Sequence, residues 1–201
     1  MVRQYDRRAA AAYALKYAIK YNPAWPSYVG AGGDCTNFVS QALYAGGWTM
    51  IWPRPRTVSA DEWDTRAYYV SKDPRVWYVN RDYPKALSWT WSNAGSFYQF
   101  LMKNTHRAQP CAREDLGLGD VVQLFDYNLI HHTVIATGIL PTTIKRTNVA
   151  FVTYHTYDVQ QTVLDHIADK TGTNLRCWKI LDSFDDSFDE QEETPARDYY
   201  D

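Results

Sequence analysis

The segment GGDCTNFVSQALYAGG, residues 32–47, constrains the fold more than any other part of the chain. At 3.6 residues per turn it predicts a helix from about Cys35 to Ala45, closed by Gly46-Gly47. Phe38, Ala42 and Ala45 fall on one line of that helix, and Cys35, Val39 and Leu43 on another. A helix that is apolar nearly all round has no face to give to water, so other elements must enclose it. At 201 residues the chain is long enough to do so without a disulfide or metal, because a chain of this size buries roughly 70% of its unfolded surface.

The enclosing elements are legible in order. Residues 5–21 read as a helix with Ala11, Leu15 and Ala18 on one stripe, stopped by Asn22 and Pro23. From about 48 to 94 periodicity is lost; four prolines and six tryptophans mark an irregular insertion, expected to be a lid or binding wall. Residues 95–104 form a further helix through Phe97, Phe100 and Leu101. Strands follow at 120–125, 129–139, 148–157 and 174–181. Helices first and strands second give an α+β fold in which the helix starting at Cys35 packs on a mostly antiparallel sheet.

Nine acids and one arginine between Asp182 and Asp201 give that stretch a net of −8, so with the whole chain at −2 the body carries about +6. One domain over 1–181 and an acidic, disordered tail over 182–201 are therefore expected. The basic body suits anionic surfaces. No cluster of Lys and Arg is interleaved with aromatics, so no nucleic-acid partner is expected. No run approaches the ~20 apolar residues of a membrane span. The opening MVRQYDRR leads into a lysine-bearing helix rather than an apolar core, so no signal peptide is expected. The expected location is the cytoplasm, or the cell envelope or exterior if the chain is a domain of a longer exported protein. The sixteen tyrosines and eight tryptophans fit a groove as well as they fit packing between helices and sheet.

The three cysteines, 35, 111 and 177, have no CxxC spacing, which argues against a disulfide framework or zinc ribbon. Cys111 and Cys177 are either bridged or two buried thiols. Cys35 differs from both because glycines bring it to a helix start, where free N–H groups and the dipole stabilise an anion by about 0.3–2 kcal/mol. The same N–H groups can hold the oxyanion of a tetrahedral intermediate. Asp34 is expected to cap the helix through its side chain. An inert buried cysteine is the competing reading of this helix start taken alone.

In LIHHTVIATGI, period two puts Ile130, His132, Val134 and Ala136 on one face and His131 on the other. The more apolar face is expected to pack on the nucleophile helix, which makes His132 the base. In NVAFVTYHTYD, His155 follows on the neighbouring strand as the partner that fixes the imidazole's tautomer, with Asp158 its rival. Cys35, His132 and His155 are also legitimate zinc ligands. Adjacent His131 and His132 cannot both face one ion from a regular strand, however, and no HExxH is present. No cofactor or metal is expected.

These segments resemble the bacterial family described as "putative amidase domain", whose relatives include NlpC-type endopeptidases and CHAP amidases. DCTNFVSQALYAGG is similar to its signature, and YDRRAAAAYALKYAIKYNP to its first helix. LGLGDVVQLF resembles the Gly-Asp lead into a strand, HTVIATG the histidine strand, YHTYD the later His-Thr-x-Asp element, and SWTWSNAGSFYQFL a further family segment. The resemblance implies a papain-like fold and a Cys35–His132–His155 triad. It also implies cysteine-dependent hydrolysis of amide bonds, with bacterial peptidoglycan peptides as substrate. Papain's glutamine six residues before the cysteine is replaced by Val29, so the Cys35 amide is the first oxyanion donor, with Tyr28 as helper. The alternatives are a non-catalytic cell-wall-binding module and a zinc-dependent hydrolase.

Overall fold

The computed structural model describes residues 1–30, 33–53, 70–83, 85–141, 148–171 and 174–190. The chain runs β1 (Val2–Gln4), α1 (Arg7–Tyr17), α2 (Cys35–Ala45), α3 (Trp89–Ser92) and α4 (Ala94–Lys103). It continues with β2 (Ala108–Cys111), β3 (Val121–Asp126), β4 (Leu129–Pro141), β5 (Asn148–Tyr154) and β6 (Val159–Val163). α5 (Leu164–Thr171), β7 (Asn174–Ile180) and β8 (Ser183–Asp185) complete it, followed by a 3₁₀ turn, Asp186–Glu190. Six strands form one sheet in the order β2-β7-β3-β4-β5-β6, antiparallel at every junction. The α+β order read from the sequence is the architecture observed.

The sheet is buried on both sides. Val121, Ile135 and Trp178 face one core with Ala10, Ala14, Phe38, Val39, Leu43, Phe97 and Leu101 of the helices. Their strand neighbours Val122, Val134 and Cys177 face a second core that also takes Leu124, Val152, Tyr154 and Leu164. Strand alternation divides these residues between the two layers. Among the described residues no helix is long and apolar enough to cross a membrane.

α1 is shorter than its sequence pattern. Asp6 caps it by accepting from the Arg8 and Ala9 amides, both at 2.9 Å. At the other end the Tyr17 carbonyl accepts from His155 and the Leu15 carbonyl from Gln160, both at 2.8 Å. Terminal carbonyls need partners outside the helix, and side chains around the β5–β6 junction supply them where another turn would have run.

Three tryptophans of the insertion belong to the core rather than to a groove wall. Trp48, Trp77 and Trp91 are fully buried. The indole of Trp77 donates to Ser40 Oγ at 3.1 Å and that of Trp91 to Asn37 Oδ1 at 2.7 Å, so both lock onto α2. Trp52 and Trp89 are exposed. Trp52 lines a cavity of about 470 Å³ with Tyr44, Met50 and Arg81, at the end of α2 remote from Cys35. Trp63 and the rest of 54–69 lie outside the described residues.

The expectation of disorder is also corrected for residues 182–190. β8 pairs with β1, and Asp189 in the following turn accepts from His106 at 2.8 Å and from buried Arg107. Asp182, Asp185, Asp186 and Asp189 are ordered because they meet cations of the body. Residues 191–201 lie outside the described residues.

Candidate functional site

Cys35 is the first residue of α2, and Gly33 brings the chain there with a φ of +106°. The Gly33 backbone also passes so close to Thr156 that an added Cβ would sit 3.2 Å from its hydroxyl. Positive φ and close approach together call for glycine. Every residue of α2 from Cys35 to Leu43 is buried, and its polar side chains are all satisfied. Thr36 meets the Thr133 hydroxyl at 2.9 Å, Asn37 donates to the Pro26 carbonyl at 2.8 Å, and Gln41 accepts from Tyr13 at 2.6 Å.

The thiol faces the backbone amide of Thr133 and the hydroxyls of Thr36 and Thr156. The direction of the Thr133 amide follows from the ladder. The Ala136 amide donates to the Asp120 carbonyl at 2.8 Å, toward β3, so by alternation Thr133 points its N–H toward β5. Pairing between β4 and β5 begins only at Ile135–Thr153. The Thr133 amide thus lies on the stretch of β4 that β5 leaves unpaired, and the thiol is beside it. Burial pushes the thiol's pKa up, and the hydrogen bonds from Thr133, Thr36 and Thr156 counter this in part.

His132 immediately precedes that amide, but on the face opposite the one expected. Thr133 and Ile135 turn toward the helices, whereas His132 lies opposite Leu124 and sets its ring edge-on against Tyr154, centroids 4.8 Å apart. The ring of His132 thus sits beside the last residue of β5. Its Nε2 is buried and has no hydrogen-bond partner among the described residues. Burial, then the neighbouring His131, lowers its pKa from 6.5 to about 4. Protonation thus favours the unfolded chain: His132's contribution is complete above pH 6.5 and is lost as pH falls toward about 4, by about 3 kcal/mol in all. In urea titrations across that window, His132→Gln should flatten the decline. An equally steep decline in the variant would place the titrating group elsewhere.

His155 is not the partner of His132. Its Nδ1 meets Asp34 Oδ2 and its Nε2 the Tyr17 carbonyl, both at 2.8 Å, and the ring lies between Phe38 and Tyr21 at 3.9 and 4.1 Å. Asp34 does not cap α2 with its side chain. It accepts instead from the Tyr28 amide at 2.7 Å and Asn37 Nδ2 at 2.8 Å, besides meeting His155. Asp158, the rival partner, binds Tyr21 at 2.7 Å. The Tyr28 phenol has its pKa raised by burial and by Asp34, which keeps it a donor. His131 is exposed and pairs with Asp126 at 3.1 Å. Among the described residues no three His, Cys, Asp or Glu side chains converge as a metal site.

The threonines around the thiol carry a sequence signal that escaped notice. Both candidate histidines precede a threonine, in His132-Thr133 on β4 and His155-Thr156 just after β5, and in each pair it is the threonine that reaches Cys35.

No solved structure matches this chain. In Bacillus subtilis (strain 168), the uncharacterized protein YjcM is 28% identical over 184 residues, covering 85% of this chain and 36% of the relative. The uncharacterized protein YhbB from the same strain is 49% identical over 47 residues, covering 23% of this chain and 14% of that relative. The chain thus spans well under half the length of these curated relatives. The family described as "Putative amidase domain" matches residues 4–178, taking in the helices, the thiol and both histidine strands. The chain belongs to that family, which at the family level points to hydrolysis of amides.

Proposed function

We propose that this chain is a cysteine-dependent amide hydrolase of papain-like, NlpC/CHAP-related type that acts on bacterial cell-wall peptides. The observation that carries the reading is the convergence of the Cys35 thiol with the His132-Thr133 and His155-Thr156 segments beside the stretch of β4 that β5 leaves unpaired. The thiol and the imidazole rest as neutral groups, since burial disfavours the charge on each. Activation is then general-base catalysis rather than a standing ion pair. His132 takes the thiol proton as sulfur attacks the carbonyl carbon, and the Cys35 amide at the helix start holds the oxyanion. The imidazolium gives its proton to the leaving amine. Water, deprotonated by the same imidazole, hydrolyses the thioester to a carboxylic acid and the free thiol. Asp34 and His155 hold the start of the helix in place for this chemistry.

Purified peptidoglycan incubated with the protein should release fragments carrying new amine and carboxylate ends, read by mass spectrometry. Cys35→Ala should reduce the rate by on the order of 10³-fold or more while the fold persists. Binding of peptidoglycan without release of fragments, alike in both proteins, would identify a non-catalytic wall-binding module instead.

A further inference from the structure

Cys111 and Cys177 are directly opposed residues of β2 and β7. The phase of that ladder follows from the Leu181 amide, which donates to the Arg107 carbonyl at 3.0 Å and makes these two a hydrogen-bonded pair. Alternation then makes Gln109–Lys179 and Cys111–Cys177 hydrogen-bonded pairs, and Ala108–Ile180 and Pro110–Trp178 the intervening ones. Pro110 agrees with this phase, because it falls where the ladder requires no donor. Hydrogen-bonded opposed residues hold their Cα atoms about 5.5 Å apart, within the roughly 4.4–6.8 Å that a disulfide spans. Opposed side chains also share a face. Cys177 belongs to the second core, and Cys111 packs against that same core. Both are free thiols.

We propose that Cys111 and Cys177 are a modification site that takes a low-molecular-weight disulfide as its oxidant and closes into a cross-strand cystine. Cys111, the more accessible of the two, attacks the external disulfide as a thiolate. A mixed disulfide forms and one thiol leaves. The Cys177 thiolate then attacks the Cys111 sulfur and expels the second thiol. In balance, the two cysteines give up two electrons and two protons, and one external disulfide becomes two thiols. The register sets the Cα spacing, and closure then draws the two Cβ atoms from the roughly 5 Å of a hydrogen-bonded pair to about 4 Å by a local shift of the edge strand β2. The new bond joins β2, at the edge of the sheet, to β7, and neither strand is β4, against which the start of α2 with Cys35 lies. Burial holds the two pKa values up at about 11 and about 12, so closure speeds up as pH rises.

The test is incubation of the folded protein with oxidised glutathione, followed by acid quenching, digestion with trypsin and mass spectrometry without reduction. The expected product joins residues 108–113, AQPCAR, to residues 177–179, CWK, with a mass two hydrogens below the sum of the separate peptides. Cys111→Ser should remove the linked species and leave Cys177 reduced. A glutathione adduct that persists on Cys111 beside a free Cys177 would overturn the proposal, as would recovery of both peptides as unmodified thiols.

Discussion

His155→Ala is expected to cost about 3–5 kcal/mol of stability, because it takes a hydrogen-bond partner from a buried carboxylate and from a helix-end carbonyl at once and removes a buried ring. Nδ1 of the ring meets a carboxylate oxygen of Asp34 and Nε2 meets the carbonyl of Tyr17, and that carboxylate is 1% exposed. Removal of the ring leaves Asp34 with the Tyr28 and Asn37 amides alone and takes the cap from the last carbonyl of α1. It also opens the stack between Phe38 and Tyr21. His132→Ala should behave differently: its Nε2 has no partner to strand, so the fold should persist while turnover is lost. Urea midpoints and amidase rates measured on both variants separate the two roles. If His155→Ala kept wild-type stability and lost only its rate, His155 would return to the catalytic apparatus as an orienting group.

That reversal shows which parts of the site can be read from the sequence. The nucleophile helix was legible to the residue because glycines bracket a run whose apolar positions leave no polar face, and α2 spans Cys35–Ala45 as expected. The four longer strands of the sheet were legible by alternation. The face of β4 was not, because Val134 and Ile135 are both fully buried. When a sheet carries a core on each side, greater apolarity no longer identifies the side that holds the helices. β2 and β6 escaped because they are short and carry exposed polar residues at positions such as Gln109 and Gln160. The partner of His155 escaped because Asp34 lies 121 residues away along the chain. Tryptophan content did not show that Trp77 and Trp91 are core, because indoles that satisfy Ser40 and Asn37 are core residues with a polar handle.

Asp189→Asn is expected to cost about 3–5 kcal/mol at neutral pH, because it leaves a stranded charge, although it lies in a run that reads as a solvated acidic tail. Arg107 is fully buried. Its guanidinium stacks over Phe184 at 4.5 Å and meets Thr49 Oγ1 at 3.1 Å, but Asp189 is its only carboxylate among the described residues. Burial pushes the Asp189 pKa up, yet the bonds from His106 and Arg107 outweigh it and hold the group below its ordinary 3.8. The stabilisation is therefore complete above that value and is lost as pH falls through the lower folded one. The Asp189→Asn variant would be destabilised at neutral pH but show a shallower acid limb. Asp182 supplies the contrast from the same run: it is 78% exposed and pairs with Arg7 at the surface, where an ion pair contributes about 0–1 kcal/mol. Urea midpoints at pH 7 and pH 3 should therefore separate Asp189→Asn sharply from Asp182→Asn. Equal, small effects from both would mean that the turn after β8 is not what neutralises Arg107, and that the acidic run behaves as its composition alone implies.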